Sequence, residues 1–349
     1  MNIEPFESIP LGGTGVRVTR LGFGCAPIGG LFRAVTDEAA IEAISHAWDI
    51  GIRYFDVAPL YGYGNAERRL GRVLAGRPRQ SFALSTKVGR LIYPRDAIPA
   101  GADVDRQALD GREDAFYIDP PPVRPVFDYS REGVLRSVEA SLERLGLDRI
   151  DILFIHDPDD HWEAAIGEAY PALARLRAEG TVGAIGVGIN QVAMLARFAR
   201  EGDFDVFLVA GRYTLLDQTA LPELLPLCVE KGIAVVLGGV MNSGLLADPR
   251  PGATFDYAPA DAARIERAEA IRAVCERYGV PLRAAAVQFS LAHPAVASLV
   301  AGVRRVEHLD EYPELMRRPI PADLWSELKA DRLLAADAPT PSAPDSGRS

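Results

Sequence analysis

The chain carries only three cysteines, Cys25, Cys228 and Cys275, odd in number and far apart. They show no metal-ligand spacing and read as reduced, buried thiols. No apolar run reaches the roughly 18 residues a membrane span needs. Cations are in the minority: 38 Lys and Arg against 48 Asp and Glu leave a net charge of −10. That balance argues against nucleic acid and against anionic membrane surfaces as partners. The opening residues Met1-Asn2-Ile3-Glu4-Pro5 lack the basic and apolar regions of a secretion signal, so the expectation is a cytoplasmic protein. No cluster of His and carboxylates suits a metal. No carboxylate pair at the strand tips suits glycoside hydrolysis. No Ser–His–Asp or Cys–His arrangement, no well-placed G-x-G-x-x-G, no short-period repeat and no dividing linker is visible. Nothing sets an oligomeric state.

What is present is a large apolar fraction, 48% of 349 residues, enough for one sizeable core. Residues 8–19 alternate around Gly12-Gly13 and read as a β-hairpin. Eight short apolar stretches follow, each with a helical pattern after it. They are Leu21–Cys25, the run around Tyr54–Val57, Phe82–Lys87, Ile150–His156, Val182–Ile189, Val206–Ala210, Ile233–Leu237 and Ala297–Val300. Strands that do not alternate are typical of parallel sheets covered on both faces. Eight such units predict one (β/α)8 barrel over residues 1–334, closed by helices Val306–Arg317 and Ala322–Leu334. Asn65 is expected to cap the helix Ala66–Ala75, and Ser130 the helix Arg131–Leu145. Residues 90–129, rich in Pro, Gly and Asp, read as a long irregular segment of functional length. The Pro-, Ser- and Ala-rich tail, 335–349, reads as disordered.

The chain is organised around Arg53-Tyr54-Phe55-Asp56-Val57-Ala58-Pro59-Leu60-Tyr61-Gly62. A buried strand breaks at Ala58-Pro59, leaving Asp56 at its tip and Tyr61 on the loop beyond. In a barrel all strand C-termini share one face, where barrel enzymes place their chemistry. Adjacent strands lie about 4.8 Å apart, so Asp56, Tyr61, Lys87 and His156 can meet. Taken singly, Asp56 and Lys87 read as a structural ion pair and His156 as a strand end. Four at matching tips point to proton chemistry. A free phenol, pKa about 10, exchanges protons poorly near neutrality. An adjacent Lys87 ammonium should lower that value. Asp56 would hold Lys87, neutral His156 would donate to a substrate oxygen, and Tyr61 would be the general acid or base.

This set, with Asp56 and Tyr61 five residues apart, resembles the aldo-keto reductase superfamily. So do Leu21-Gly22-Phe23-Gly24, Ser141-Leu142-Glu143-Arg144-Leu145-Gly146 and Gly186-Val187-Gly188-Ile189-Asn190, over about residues 8–332. Ala210-Gly211-Arg212-Tyr213-Thr214-Leu215-Leu216 and Asn242-Ser243-Gly244 resemble one branch. That branch holds aldose 1-dehydrogenases of the D-threo-aldose or L-fucose type and pyridoxal 4-dehydrogenases. The resemblance implies hydride transfer between a nicotinamide cofactor and a carbonyl or alcohol carbon of a small molecule, with the cofactor extended across the barrel mouth. By position it places Gly24, Cys25, Ala26 and Asp56 along the cofactor, and Asn190 on the nicotinamide carboxamide. Ser243, Gly244 and Leu245 would approach the pyrophosphate, and Gly302, Val303, Arg304 and His308 the adenosine. Ala210 stands where Gln is frequent and Gly238 where an aromatic often stacks on nicotinamide, a role Tyr213 could take. His308 and Tyr312 replace an Arg and an Asn common in NADP-preferring members. With Glu307 and Asp310 opposing Arg304 and Arg305, the resemblance favours NAD, NADP staying open. The implied activity is oxidation of an anomeric hydroxyl to a lactone. Pyridoxal oxidation, general aldehyde reduction and a non-catalytic nicotinamide-binding barrel are the alternatives.

Overall fold

The computed structural model describes residues 3–106 and 116–341. Its frame is a closed ring of eight parallel strands: β3 (Leu21–Gly24), β4 (Tyr54–Asp56), β5 (Ala83–Pro94), β7 (Ile152–His156), β8 (Ala184–Ile189), β9 (Val206–Ala210), β10 (Ala234–Gly238) and β13 (Val296–Ala301). The order is β4-β3-β13-β10-β9-β8-β7-β5, and β5 pairs back with β4. This is the (β/α)8 barrel expected from the eight apolar runs. Helices cover the outside, so each strand is buried on both faces and need not alternate in polarity.

Alternation is steric rather than chemical. Tyr54, Ile152, Phe154, Val206, Leu208 and Val236 share the interior cluster. Phe55, Leu153, Ile155, Phe207 and Val235 face the helices. The hairpin of β1 (Ser8–Pro10) and β2 (Arg17–Thr19) contributes Leu11, Val16 and Val18 to the interior cluster and so plugs one end of the barrel.

The structure differs from the sequence reading in several places. Asn65 is the first residue of its helix, not the cap. Gly64 takes that position at φ +90, after Tyr63 at φ +53. The segment 90–129 is not irregular throughout. β5 continues to Pro94 and pairs antiparallel with β6 (Val123–Asp128), Gly89 opposite Asp128 and Pro94 opposite Val123. Pro125 inside β6 hid this strand, since proline argues against a ladder position. Residues 107–115 of that segment lie outside the described residues. The helical stretch Trp162–Ala178 after β7 contains a π-helical turn, Ala165–Ala169, just before Pro171, which lacks the N–H for the ordinary bond to Gly167. After the last helix, Ala322–Ala330, Leu334 and Ala338 are buried. Packing therefore continues past residue 335, where the tail was expected to begin; residues 342–349 lie outside the described residues. No helix among the described residues is long and apolar enough to cross a membrane.

Candidate active site

Two-residue periodicity aims the site. Tyr54 points into the barrel, so Asp56 does too. Ala83 points inward, hence also Ser85 and Lys87, and Phe154 carries His156 with it. Each polar residue caps a column of apolar side chains at the strand C-termini. Asp56 and Lys87 are 2% and 1% exposed, a depth at which neither charge is tolerable alone. Lys87 Nζ donates to both Asp56 oxygens, at 3.0 and 2.8 Å, to the Val57 carbonyl at 3.0 Å and to the Tyr61 hydroxyl at 3.1 Å. The Tyr61 and His156 rings meet edge to face at 6.0 Å. The structure thus brings together all four residues singled out at the strand tips.

Ser85 was missed. Its hydroxyl donates to Asp56 Oδ1 at 2.7 Å and lies 3.1 Å from the Tyr54 hydroxyl. Its place two residues before Lys87, on the same inward face, was the available signal.

Burial and Lys87's partner overturn one expectation. The Tyr61 phenol is pushed well above its usual pKa, first by burial and then by the nearby Asp56 carboxylate. Burial and Asp56, which is paired with Lys87 at 2.8 Å, outweigh the lowering expected of the ammonium. His156 moves the other way: burial, then Arg90 and Lys87, hold its pKa well below the usual histidine value. The site therefore presents a protonated phenol and a neutral imidazole, a proton donor and a hydrogen-bonding group that spans no charge.

The Tyr61 loop is seated by backbone contact. Gly62, at φ +61, lies so close to Gly29 that a Cβ would come within 2.2 Å of the Gly29 carbonyl oxygen. Gly62→Ala should lower stability by about 1–3 kcal/mol from the left-handed backbone alone. It should also cut kcat/KM by at least roughly tenfold by displacing Tyr61. A variant with unchanged melting temperature and turnover would remove this role from the Gly29–Gly62 contact.

Apart from Asp56 on β4, the positions assigned to a cofactor follow the strands of the complementary arc, β8-β9-β10-β13-β3. Gly24 ends β3 and pairs with Asp56 in register. Cys25 donates its N–H to the Asp56 carbonyl at 2.9 Å, but its thiol is in the core and raised in pKa by burial. Ala26 opens the short turn Pro27–Gly29. Asn190 follows β8, its carbonyl accepting from Arg212 Nε at 3.2 Å. Ser243 (φ +56) and Gly244 (φ +100) follow β10, with open space around Gly244. Leu245 packs against Phe255 and Ala268, and Val303 in the main core, so like Cys25 they offer only backbone to a ligand. Gly302 and His308 are exposed, and Arg304 is half-buried. Ala210 and Gly238 are register partners, which leaves this part of the floor without large side chains. Tyr213 cannot fill the gap: it is buried against Phe289 and His293.

The profile of the Aldo/keto reductase family matches residues 20–331. The chain belongs to the aldo/keto reductase family. Family relatives include a D-threo-aldose 1-dehydrogenase of a Pseudomonas species, 43% identical over 94% of this chain and 97% of that protein. A pyridoxal 4-dehydrogenase of Microbacterium luteolum is 40% identical over 96% of this chain and all of that protein. An aldo-keto reductase of Bacillus halodurans, solved in a holo form, shares the fold at a TM-score of 0.71 and 23% identity, covering 99% of this chain and all of that one. As a member of the family, this chain is an NAD(P)-dependent oxidoreductase. Its own residues fit a nicotinamide dinucleotide. Arg304 Nε is a buried N–H without a hydrogen-bond partner among the described residues, and Arg33 lies near enough to lower the Arg304 pKa further after burial. Two guanidinium groups crowded together at this end of the arc suit an anionic ligand.

Proposed function

We propose that this reductase oxidises the anomeric hydroxyl of an aldose to a lactone, with NAD as the preferred cofactor. The observation that carries the chemistry is Lys87 Nζ, held between the Asp56 carboxylate and the Tyr61 hydroxyl with His156 across from it. Tyr61 exchanges the proton with the reacting oxygen. Lys87, neutralised and oriented by Asp56, fixes the position of the phenol oxygen, and neutral His156 donates a hydrogen bond to the same substrate oxygen. A bound oxidised nicotinamide supplies the acceptor for the hydride that leaves the anomeric carbon. The sugar reading is supported by near full-length similarity to a D-threo-aldose 1-dehydrogenase.

The cofactor preference rests on the adenosine end. His308 and Tyr312 offer no guanidinium to a 2′-phosphate, and Tyr312 is partly buried against the core. Glu307 is exposed nearby. Asp310 is engaged by His46 Nε2 at 2.5 Å, so its opposition to a phosphate is weaker than the sequence alone implies. Pyridoxal is the second substrate reading, carried by the relative of that activity.

The deciding assay follows nicotinamide absorbance with NAD and NADP separately, against L-fucose, other aldoses and pyridoxal. Lactone formation with NAD at a kcat/KM at least tenfold above that with NADP is expected. Silence on every aldose with turnover of pyridoxal would replace the sugar reading. Tight cofactor binding with no turnover of any substrate would favour a binding barrel.

A further inference from the structure

His156 is followed by Asp157, which takes an unusual backbone conformation for a residue with a side chain, φ +41. The conformation is clamped. The Tyr129 hydroxyl donates to the His156 and Asp157 carbonyls at 2.6 and 2.8 Å, Arg90 Nη1 donates to the His156 carbonyl at 3.0 Å, and the Asp157 N–H donates to the Gly188 carbonyl at 3.1 Å. Strained backbone held this firmly marks a place where side-chain direction matters. The result brings Asp157 Oδ2 to 3.3 Å from His156 Nε2.

Arg90 is shared between two carboxylates, and Asp157 holds it at the longer distance. Asp105 Oδ2 already accepts from Arg90 Nε at 2.6 Å, both side chains under 10% exposed, whereas Asp157 stands off from Arg90 at 3.5 Å and is 38% exposed. His156, being neutral, does not balance the Asp157 charge. The charged groups around Asp157 are Arg90, Asp159, Lys87 and Asp105, and the Tyr61 and Tyr257 phenols also feel its charge. A partly exposed carboxylate, paired with Arg90 only at 3.5 Å, therefore sits beside the imidazole that faces Tyr61.

We propose that Asp157 determines specificity by accepting a hydrogen bond from a substrate hydroxyl on the carbon next to the reacting one, while His156 holds the reacting oxygen. This rests on reading the mouth as a site for hydroxylated substrates. A donor and an acceptor this close suit oxygens on adjacent carbons. A carbonyl compound without a neighbouring hydroxyl covers the carboxylate and offers it no hydrogen bond, so the same residue selects against it.

The test uses Asp157→Asn and Asp157→Gly, both residues compatible with a positive φ. Circular dichroism and quenching by nicotinamide confirm fold and cofactor binding. For each variant, kcat/KM is measured for L-fucose and lactaldehyde, which carry a hydroxyl on the carbon next to the reacting one, and for benzaldehyde, which does not. The ratio of hydroxylated substrate to benzaldehyde should fall roughly 10- to 100-fold in the Gly variant and less in the Asn variant. An unchanged ratio, whether both rates stay or both fall, overturns the proposal. If the wild type ignores aldoses, the aldose reading fails and the lactaldehyde-to-benzaldehyde ratio still judges Asp157. Calorimetric titration of L-fucose into the protein loaded with NADH, which cannot accept a hydride, gives the same comparison without turnover, and equal affinity in wild type and the Gly variant also overturns it.

Discussion

Tyr61→Phe should lower turnover by about 10²- to 10⁴-fold, the range that a positioned acid–base group contributes, while nicotinamide binding stays within a few-fold of wild type. The ring is retained, so its edge-to-face contact with His156 survives and the loop keeps its seat on Gly29. Only the oxygen 3.1 Å from Lys87 Nζ is lost. Cofactor affinity read by fluorescence quenching separates this outcome from misfolding. Turnover above a tenth of wild type would remove Tyr61 from the proton step.

The pH dependence follows from the same groups. Burial and Asp56 keep the phenol protonated beyond its usual range. Reduction, which uses the acid form, should therefore be level from about pH 6 to 9, whereas oxidation, which uses the base form, should climb across that interval. His156, held neutral by burial, Arg90 and Lys87, should contribute no inflection near the ordinary histidine value. A limb that disappears in His156→Asn would show that the imidazole titrates after all.

How much of this was legible before the structure depended on how local the cause was. Apolar runs that end in Asp56, Lys87 and His156 declare both the strands and their tips, and a barrel then brings the tips to one rim without further information. The hairpin and Ser130 as a helix cap are local in the same sense. Arg90 and Asp105 were not readable, because their meeting needs β5 to run past the barrel and return as β6 through a proline-containing strand. Glu67, fully buried with Arg144 Nε at 2.6 Å and Thr86 Oγ1 at 2.8 Å, looks like an ordinary surface residue of an amphipathic helix until strand β5 is packed beside it. Tyr213 misled for the opposite reason. A tyrosine one turn beyond a strand tip suggests a ligand contact, but its ring is taken by Phe289 and His293 in the core. The direction of the Tyr61 shift was misjudged because the depth of burial, its largest cause, and the closeness of the Asp56 carboxylate are set by packing.

The buried Asp56–Lys87 pair makes the second large prediction. Lys87→Met should destabilise the protein by about 3–5 kcal/mol, the usual result of stranding one partner of a buried ion pair. Met fills a similar volume, so the loss reports the charge left on Asp56, to which the Ser85 hydroxyl remains as a donor. Asp56→Asn together with Lys87→Met removes that charge while Asn keeps an acceptor oxygen for Ser85. Stability measured by urea unfolding should then recover by more than half of the loss. Turnover should not recover, because the phenol oxygen still lacks its ammonium. The two readouts separate the pair's roles: stability depends on the charges being matched, and activity on an ammonium being present beside Tyr61. If the double variant regained turnover along with stability, Lys87 would be a structural cation, and the proton chemistry at Tyr61 would have to be carried by His156 alone.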